Sequence, residues 1–583
     1  MAITARPGSF EYPTISGAIP PTSREAMDAA VQTVRGQKNA WAELTIRKRL
    51  ALIDQLMRDF AAMADRWVDV SIQAKRIPRE SPMVGEEWIL GPYPILRNLR
   101  QLRGALADIE RRGRPRIPGP ITTRPDGQVV ARVFPQTTYD SLFFPGGTAE
   151  VWMEPGVTIA DLPSTQAVAY YERQREGRVA LVLGAGNVSS IGPLDALYKL
   201  FVENQVVVFK ANPVNAYLGP LMEEALRALV EPGYLRVVYG GAAEGSYLCN
   251  HPDVDEVHIT GSDKTFEAII FGTGAEGAQR KAERRPLLNK KVTGELGNVS
   301  PVIVVPGPWS ASDIAYQAEH IASMLTNNAG FNCNATRMIL QHASWNQREQ
   351  VLVALRKVLA KVPSRVAYYP GAHDRHAAFI AAHPDAEQFG DASDDHLPWT
   401  LIGGVDAENK ADIALNTEAF CSLFAESAIH AASVPEYVDR AVQLANEHHW
   451  GTLNATILVH PRSLKDPETA AAVERAVANL RYGSVAVNYW AASSYILGVT
   501  PWGGFPGSDI YDIQSGNGWV HNTLMFSRPQ KSVVRMPFRG IPTPPFFVSQ
   551  LGKGGKLFRK LSALEAAPSP AKVPSILWTA LAG

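Results

Sequence analysis

Two doubly wound α/β domains are the fold class predicted by this sequence, and two series of short apolar runs carry the prediction. The first series is VALVL (179–183), VVVF (206–209), LRVVY (235–239) and VDEVHI (254–259). The second is PVIVV (301–305), RMIL (337–340), ATILV (455–459) and SVAVN (484–488). These β-branched runs are bounded by Gly and Pro and separated by stretches long enough for a helix, as parallel strands in βαβ units are. With 583 residues, 46% hydrophobic and 20% charged, the chain has an ordinary globular composition and room for two or three domains.

Ahead of the first series, Ile53, Leu56, Met57, Phe60, Ala64 and Trp67 recur at three- and four-residue intervals with Arg58, Asp59, Asp65 and Arg66 between them. That period predicts helices from Ser23 to about Lys75, covering a sheet. Residues 112–128, RGRPRIPGPITTRPDGQ, carry too much Pro, Gly and Arg for a regular element, so a long connection is expected there. At the other end, KSVVRMPFRGIPTPPFF offers one strand and then prolines. GKLFRKLSALEAA reads as a short basic amphipathic helix packed on its own protein; a membrane or partner contact is the competing reading.

Composition excludes several functions. Lys plus Arg and Asp plus Glu are 57 each, so no global field favours nucleic acid as a partner. Three cysteines, Cys249, Cys333 and Cys421, form neither a disulfide framework nor a metal pair and suit a reducing compartment. The N-terminal MAITARPGSFEY lacks an apolar core of signal-peptide length, and no run of apolar residues is long enough for a transmembrane helix. A cytoplasmic location is expected. His373, His376, His383 and His396 lie among aspartates without a metal-ligand spacing, so no metal is expected. No GxSxG stretch supports a serine hydrolase.

Three places could carry chemistry. Cys333 follows Ala329-Gly330 and sits between Asn332 and Asn334, a turn-forming context in which backbone N–H groups can hold a thiolate. Glu295 lies between Gly294 and Gly297 just before an apolar strand, a setting suited to a general base. VLGAGNVSSIGPLDALYKLFVENQVVVFKANP reads as strand, glycine turn, helix and strand ending in Lys210. It is not a GxGxxG fingerprint, because the glycine after Gly184 and Gly186 is Gly192.

Taken together, six segments in order resemble the aldehyde dehydrogenase superfamily from about Ser23 to about Asp509. They are Asn187 with Lys210, YGGAAEGSYLCNHPDVDEVHITGS, GELGN, GFNC, TEAF, and VNYW…TPWGGFPGSD. The resemblance implies an aldehyde dehydrogenase-like fold. An NAD(P)-binding domain would span 1–295, with an irregular excursion at about 104–165 that includes oligomerisation strands. A catalytic domain (296–490), a closing segment with an oligomerisation strand (491–550) and a C-terminal tail (551–583) would follow. The strand-rich element would pair between subunits of a homodimer or homotetramer.

The implied activity is NAD- or NADP-dependent oxidation of an aldehyde to a carboxylic acid through a cysteine thiohemiacetal and thioester. Cys333 would be the nucleophile, Asn187 an oxyanion donor and Glu295 the base. Lys210, Gly241, Gly245, Gly261, Ser262, Glu418 and Phe420 would bind the cofactor. The alternatives are a CoA-acylating aldehyde dehydrogenase (acyl-CoA reductase), against which Glu295 argues, and a non-catalytic protein of the same fold.

Departures from the family pattern are Pro213 where an acid often follows the ribose lysine, Phe331 in place of Gln, and Arg337 one residue early. The loop around Phe331 and Arg337 is therefore expected to set substrate preference. Phe331, Trp490, Tyr495 and Phe505 point to an apolar medium-chain or aromatic aldehyde. The basic segment 266–293 reads as a surface insertion.

Overall fold

The computed structural model of the chain describes residues 19–171 and 176–581. The N-terminal stretch read above for a signal sequence lies outside the described residues. The helices Arg24–Ala42 and Ile46–Ala74 begin where Ser23 and Thr45 accept hydrogen bonds from Ala26 N and Lys48 N. The faces bearing Val31, Val34, Ile53, Phe60 and Trp67 are buried in the largest apolar core. A third helix, Pro92–Arg112, packs along Ile46–Ala74 and stops at Gly113, whose φ of 85° is open to glycine without strain.

Five parallel strands form the first sheet in the order Leu235–Val238, Val206–Lys210, Val179–Leu183, Glu256–Gly261, Lys291–Leu296. Counted along the chain from Val179, this order is 3-2-1-4-5. The winding therefore reverses between Val179–Leu183 and Glu256–Gly261, and the loops after these strands diverge to leave a crevice. The strand Lys291–Leu296 was not expected: Glu295 lies on it, still ahead of the apolar strand Ser300–Val304. Its KVTGEL sequence, with one charged end and one glycine, has too little apolar content to read as a buried strand.

The second sheet has eleven strands. Its parallel centre contains Asn454–Leu458, Ser300–Val304, Thr336–His342, Leu423–Ile429 and Trp399–Ile402. Ser484–Val487 and Pro529–Arg535 continue it, both parallel. Three antiparallel strands from the early chain complete that edge: Thr148–Met153, Val129–Phe134 and Ile121–Thr123.

One expectation is corrected here. Residues 112–128 are not wholly irregular, because Arg124 and Gln128 close a hairpin over Asp126-Gly127 and make Ile121–Thr123 a strand. All three of its residues are exposed, so no apolar alternation marks it. Within the chain, Pro529–Arg535 bonds to Thr148–Met153 on one side and Ser484–Val487 on the other, so the strand-rich element is continuous with the large sheet.

The segment 266–293 is largely helical, with Asp263–Phe271 and Gly274–Ala282, and much of its charge is paired: Lys281 with Glu267, Arg280 with Glu276, Arg284 with Asp509. The tail helix Leu551–Ala566 buries Leu557, Phe558, Leu561 and Leu564 against Val84–Leu90 and Pro92–Arg112, so it is packed on its own protein. No helix among the described residues is long and apolar enough to cross a membrane.

Candidate active site

The crevice at the winding reversal opens into a cavity of about 910 Å³. All ten residues singled out from the sequence line it: Asn187, Lys210, Gly241, Gly245, Gly261, Ser262, Glu295, Cys333, Glu418 and Phe420. They converge because they sit at the carboxyl ends of neighbouring parallel strands or in the loops that follow: Lys210 ends one strand, Gly261 another, and Glu295 is one residue from the end of a third. No periodicity in the sequence announces this meeting point; it follows from strand order.

One wall suits a phosphorylated ligand. The helices Ala242–Asn250 and Asp263–Phe271 start at Gly241 and Ser262 on the cavity lining, presenting backbone N–H groups there. Among the described residues the Lys210 ammonium has one hydrogen bond, a long 3.4 Å contact to Ala211 O, and burial lowers its pKa to about 8. The Lys210 methylenes lie 3.6 Å from where a Cβ on Gly245 would stand. Deeper in, the Glu418 carboxylate lies where a Cβ on Gly297 would be, 2.0 Å from it, so only glycine admits this acid; its Oε1 is buried without a partner among the described residues. Burial pushes the Glu418 pKa up to about 8, against the pull of Arg337 and Arg375.

Cys333 stands at the inner end, and the turn carrying it is unusual. Asn328, Ala329 and Gly330 all have left-handed φ, at 54°, 56° and 83°. The Gly330 position leaves no space for a side chain, because a Cβ would come 2.5 Å from Cys421 O. Buried polar groups hold this costly backbone. Asn328 donates through Nδ2 to Asn187 O, Phe331 O and Asn332 Oδ1, each within 3.1 Å. Asn328 Oδ1 accepts from Lys75 Nζ at 3.0 Å and from Tyr368 Oη at 2.9 Å, and Asn328 N donates to Glu86 Oε2 at 3.1 Å. Lys75 is itself paired with Glu87 at 2.7 Å, both buried. The Asn187 amide donates to Phe331 O at 2.9 Å, leaving a second N–H.

Sequence reasoning missed Lys75, Glu86, Glu87, Asn328 and Tyr368. Buried charges within helical patterns look like solvated faces until the tertiary structure packs them, and the only available hint was the NN pair ahead of Ala329-Gly330.

Arg337 and Phe331 also turn out differently. The Arg337 guanidinium donates to Cys421 O, Leu423 O and Gly330 O at 2.6–2.9 Å, bracing the turn from beneath. The Phe331 ring is buried among Tyr368, Tyr369 and Phe420 and lines neither cavity near the thiol. The expectation that this pair shapes the substrate pocket is therefore overturned, as is a pocket role for Phe505. Trp490 and Tyr495 do line a second cavity, apolar and about 170 Å³, which meets Cys333 from the opposite side.

The electrostatics around the thiol are set by burial and by neighbouring carboxyls, while Cys333 keeps part of its surface open to the two cavities. Burial pushes the Cys333 thiol well up, and Glu295 and Glu418 push it further. The Glu295 pKa rises to about 8, first by burial and then by the charge of Asp195. Asp195, held by the Thr260 hydroxyl at 2.8 Å, is itself raised to about 7 by burial. Groups poised near neutrality beside a nucleophile suit proton transfer. The histidines of 373–396 do not gather: His376 bonds Thr400, His383 bonds Asp412 and His396 bonds Asp395.

Comparison with known proteins agrees with this geometry. Residues 160–376 match the family model described as the aldehyde dehydrogenase family. The human 4-trimethylaminobutyraldehyde dehydrogenase is 37% identical over 138 residues, which are 23% of this chain and 24% of that protein. The aldehyde dehydrogenase LUC3 of Fusarium sp is 27% identical over 161 residues, 27% of this chain and 32% of that protein. The aligned stretches thus span a quarter to a third of these relatives.

Across nearly the whole length the fold is shared. The NADP complex of the NADP-dependent glyceraldehyde-3-phosphate dehydrogenase from Bacillus halodurans C-125 superposes with a TM-score of 0.58 at 18% identity, covering 91% of this chain and 95% of that one. The aldehyde dehydrogenase C mutant of Pseudomonas syringae with NAD+ and octanal gives 0.57 at 18% identity, covering 92% and 93%. Residues 160–376 thus match the aldehyde dehydrogenase family, and the described chain shares the fold of solved aldehyde dehydrogenases.

Proposed function

We propose that this chain oxidises an aldehyde to the carboxylic acid with NAD or NADP, using Cys333 as nucleophile. The observation that carries the reading is the position of Cys333, which with Ile191 lines both the phosphate-suited cavity and the apolar one. A dinucleotide and an aldehyde entering from opposite sides would meet at its sulfur.

The residues present fit the cofactor. The two helix N-termini and Ser262 would take the pyrophosphate, the Lys210 ammonium one ribose, and the unpartnered Glu418 Oε1 the other, with Phe420 against the ring. When bound, the nicotinamide supplies a hydride acceptor, which allows the adduct on Cys333 to pass to a thioester.

The chain's own groups do the rest. Because burial and two carboxyls hold the thiol neutral, it needs a base, and Glu295 lies close enough that each group shifts the other's titration. As the sulfur attacks the carbonyl carbon, the second Asn187 N–H and the Cys333 backbone N–H hold the oxyanion. Glu295 hands the thiol proton to solvent, then takes a proton from the water that attacks the thioester and returns it to the departing Cys333 sulfur, releasing the acid and restoring the thiol.

The test is reduced-nicotinamide formation with an aldehyde panel, with and without CoA, on wild type and two variants. Cys333→Ser is expected to lose turnover by at least about a thousandfold while still binding cofactor. Glu295→Gln, which removes the base for both steps, is expected to slow the first equivalent of NAD(P)H as well as thioester hydrolysis. Full turnover by Cys333→Ser would overturn the nucleophile, and CoA-dependent turnover would favour the acyl-CoA reaction.

A further inference from the structure

From the apolar cavity that also reaches Cys333, we infer that the substrate is a neutral aldehyde with an apolar chain, and that the C-terminal segment 540–561 forms the wall that selects it. The inference rests on the dehydrogenase reading only for the carbonyl end.

Three features of the cavity point to this class. Its lining is dominated by apolar side chains, among them Ile89, Leu90, Tyr93, Ile496, Leu557 and Phe558. The polar handles of two of its aromatics are already used: Trp490 Nε1 donates to Asn334 O at 2.8 Å, and Tyr495 Oη is 2.8 Å from Ser190 Oγ. Their rings therefore offer hydrocarbon surface without demanding a polar ligand. Finally, among the described lining residues no Asp or Glu occurs, and Lys553 is the only charged side chain, so a cationic aldehyde finds no counter-ion. At about 170 Å³ the cavity exceeds the ~150 Å³ apolar cavity that stays dry and takes up benzene.

The tail is a built part of this wall. The buried Arg97 donates to Glu565 at 2.8 Å, to Asp140 at 2.9 Å and to Leu497 O at 3.1 Å, and Arg100 also pairs with Glu565. One guanidinium thus fastens together three elements that line the cavity: the tail helix with Leu557, Phe558 and Leu561, the helix Thr138–Phe143 with Phe143, and the helix Ser493–Leu497 with Tyr495 and Ile496. A wall held by buried ion pairs is pre-formed and can discriminate chain length. At its edge Ile541 also lines the cavity but is 82% exposed, which places it at the mouth.

The test compares kcat/KM for propanal, hexanal, decanal, succinic semialdehyde and 4-trimethylaminobutanal, with calorimetric binding of decanoate to Cys333→Ser as a readout independent of turnover. Along the straight-chain series kcat/KM should rise up to about fourfold per methylene until the cavity is filled. Ile541→Asp, at an exposed position, should lower the decanal-to-propanal ratio at least about fivefold. Turnover with a flat chain-length series, or preference for either charged aldehyde, overturns the inference and leaves the dehydrogenase reading standing. Decanoate binding without turnover of any aldehyde supports the alkyl site while the dehydrogenase reading fails; absence of both overturns both.

Discussion

Removing the Lys75 ammonium tests how the nucleophile turn is held. Lys75 and Glu87 are 2% and 0% exposed at their side chains and 2.7 Å apart, and the same ammonium reaches Asn328 Oδ1 at 3.0 Å. In Lys75→Met the Glu87 carboxylate is left buried and unpaired, an arrangement that costs about 3–5 kcal/mol. The loss of the bond to Asn328 adds about 1 kcal/mol and weakens support for the left-handed backbone ahead of Cys333.

Pairing Lys75→Met with Glu87→Leu removes both charges, so at least half of the cost should return even though the Asn328 contact stays lost. Urea unfolding of wild type, both single variants and the double variant measures the coupling, and a turnover assay on the same proteins reads the turn. A single-variant loss below about 1 kcal/mol, or a double variant no more stable than Lys75→Met, would refute the reasoning.

Four further outcomes are expected. Gly330→Ala places a Cβ 2.5 Å from Cys421 O at a φ of 83°, so thermal unfolding should show a loss of about 2–4 kcal/mol, and turnover should fall with it. Because the Glu295 pKa is about 8 and only its ionised form accepts a proton, acyl-enzyme hydrolysis should rise as pH climbs through about 8, and Glu295→Gln should abolish that limb in a stopped-flow pH series. The same shift has a stability consequence. Glu295 and Glu418 hold protons in the folded chain that the unfolded chain releases near 4.5, so their contribution is fully present below 4.5 and lost as pH rises through about 8, which a pH series of melting temperatures checks. Lastly, Glu565→Leu leaves the buried Arg97 paired with Asp140 but unfastens the C-terminal helix from it, so that helix should become the first site of limited proteolysis, with a loss of about 1.5–3 kcal/mol.

The chain's sequence determined a great deal locally. Parallel strands were legible because runs such as VALVL and VVVF are buried on both faces and need no alternation, and the helices from Ser23 to Lys75 because one apolar stripe repeats along them. The ten candidate site residues were picked out differently, by the resemblance of short ordered motifs at strand ends and in the loops that follow them. Strands such as Lys291–Leu296 and Ile121–Thr123 were not legible, since too little of their sequence is apolar.

What only the tertiary structure decided depends on chain crossings that no local pattern encodes. Strand order brought Lys210, Gly261 and Glu295 to one crevice. Packing then turned Phe331 into an aromatic core, and made Arg337, Lys75 and Glu86 the support of the Cys333 turn. It also folded the tail back to wall the apolar cavity through Arg97 and Glu565, residues 468 positions apart in the chain. A buried charge is tolerated only where its partner arrives from elsewhere in the fold, so its role becomes visible only when both are in place.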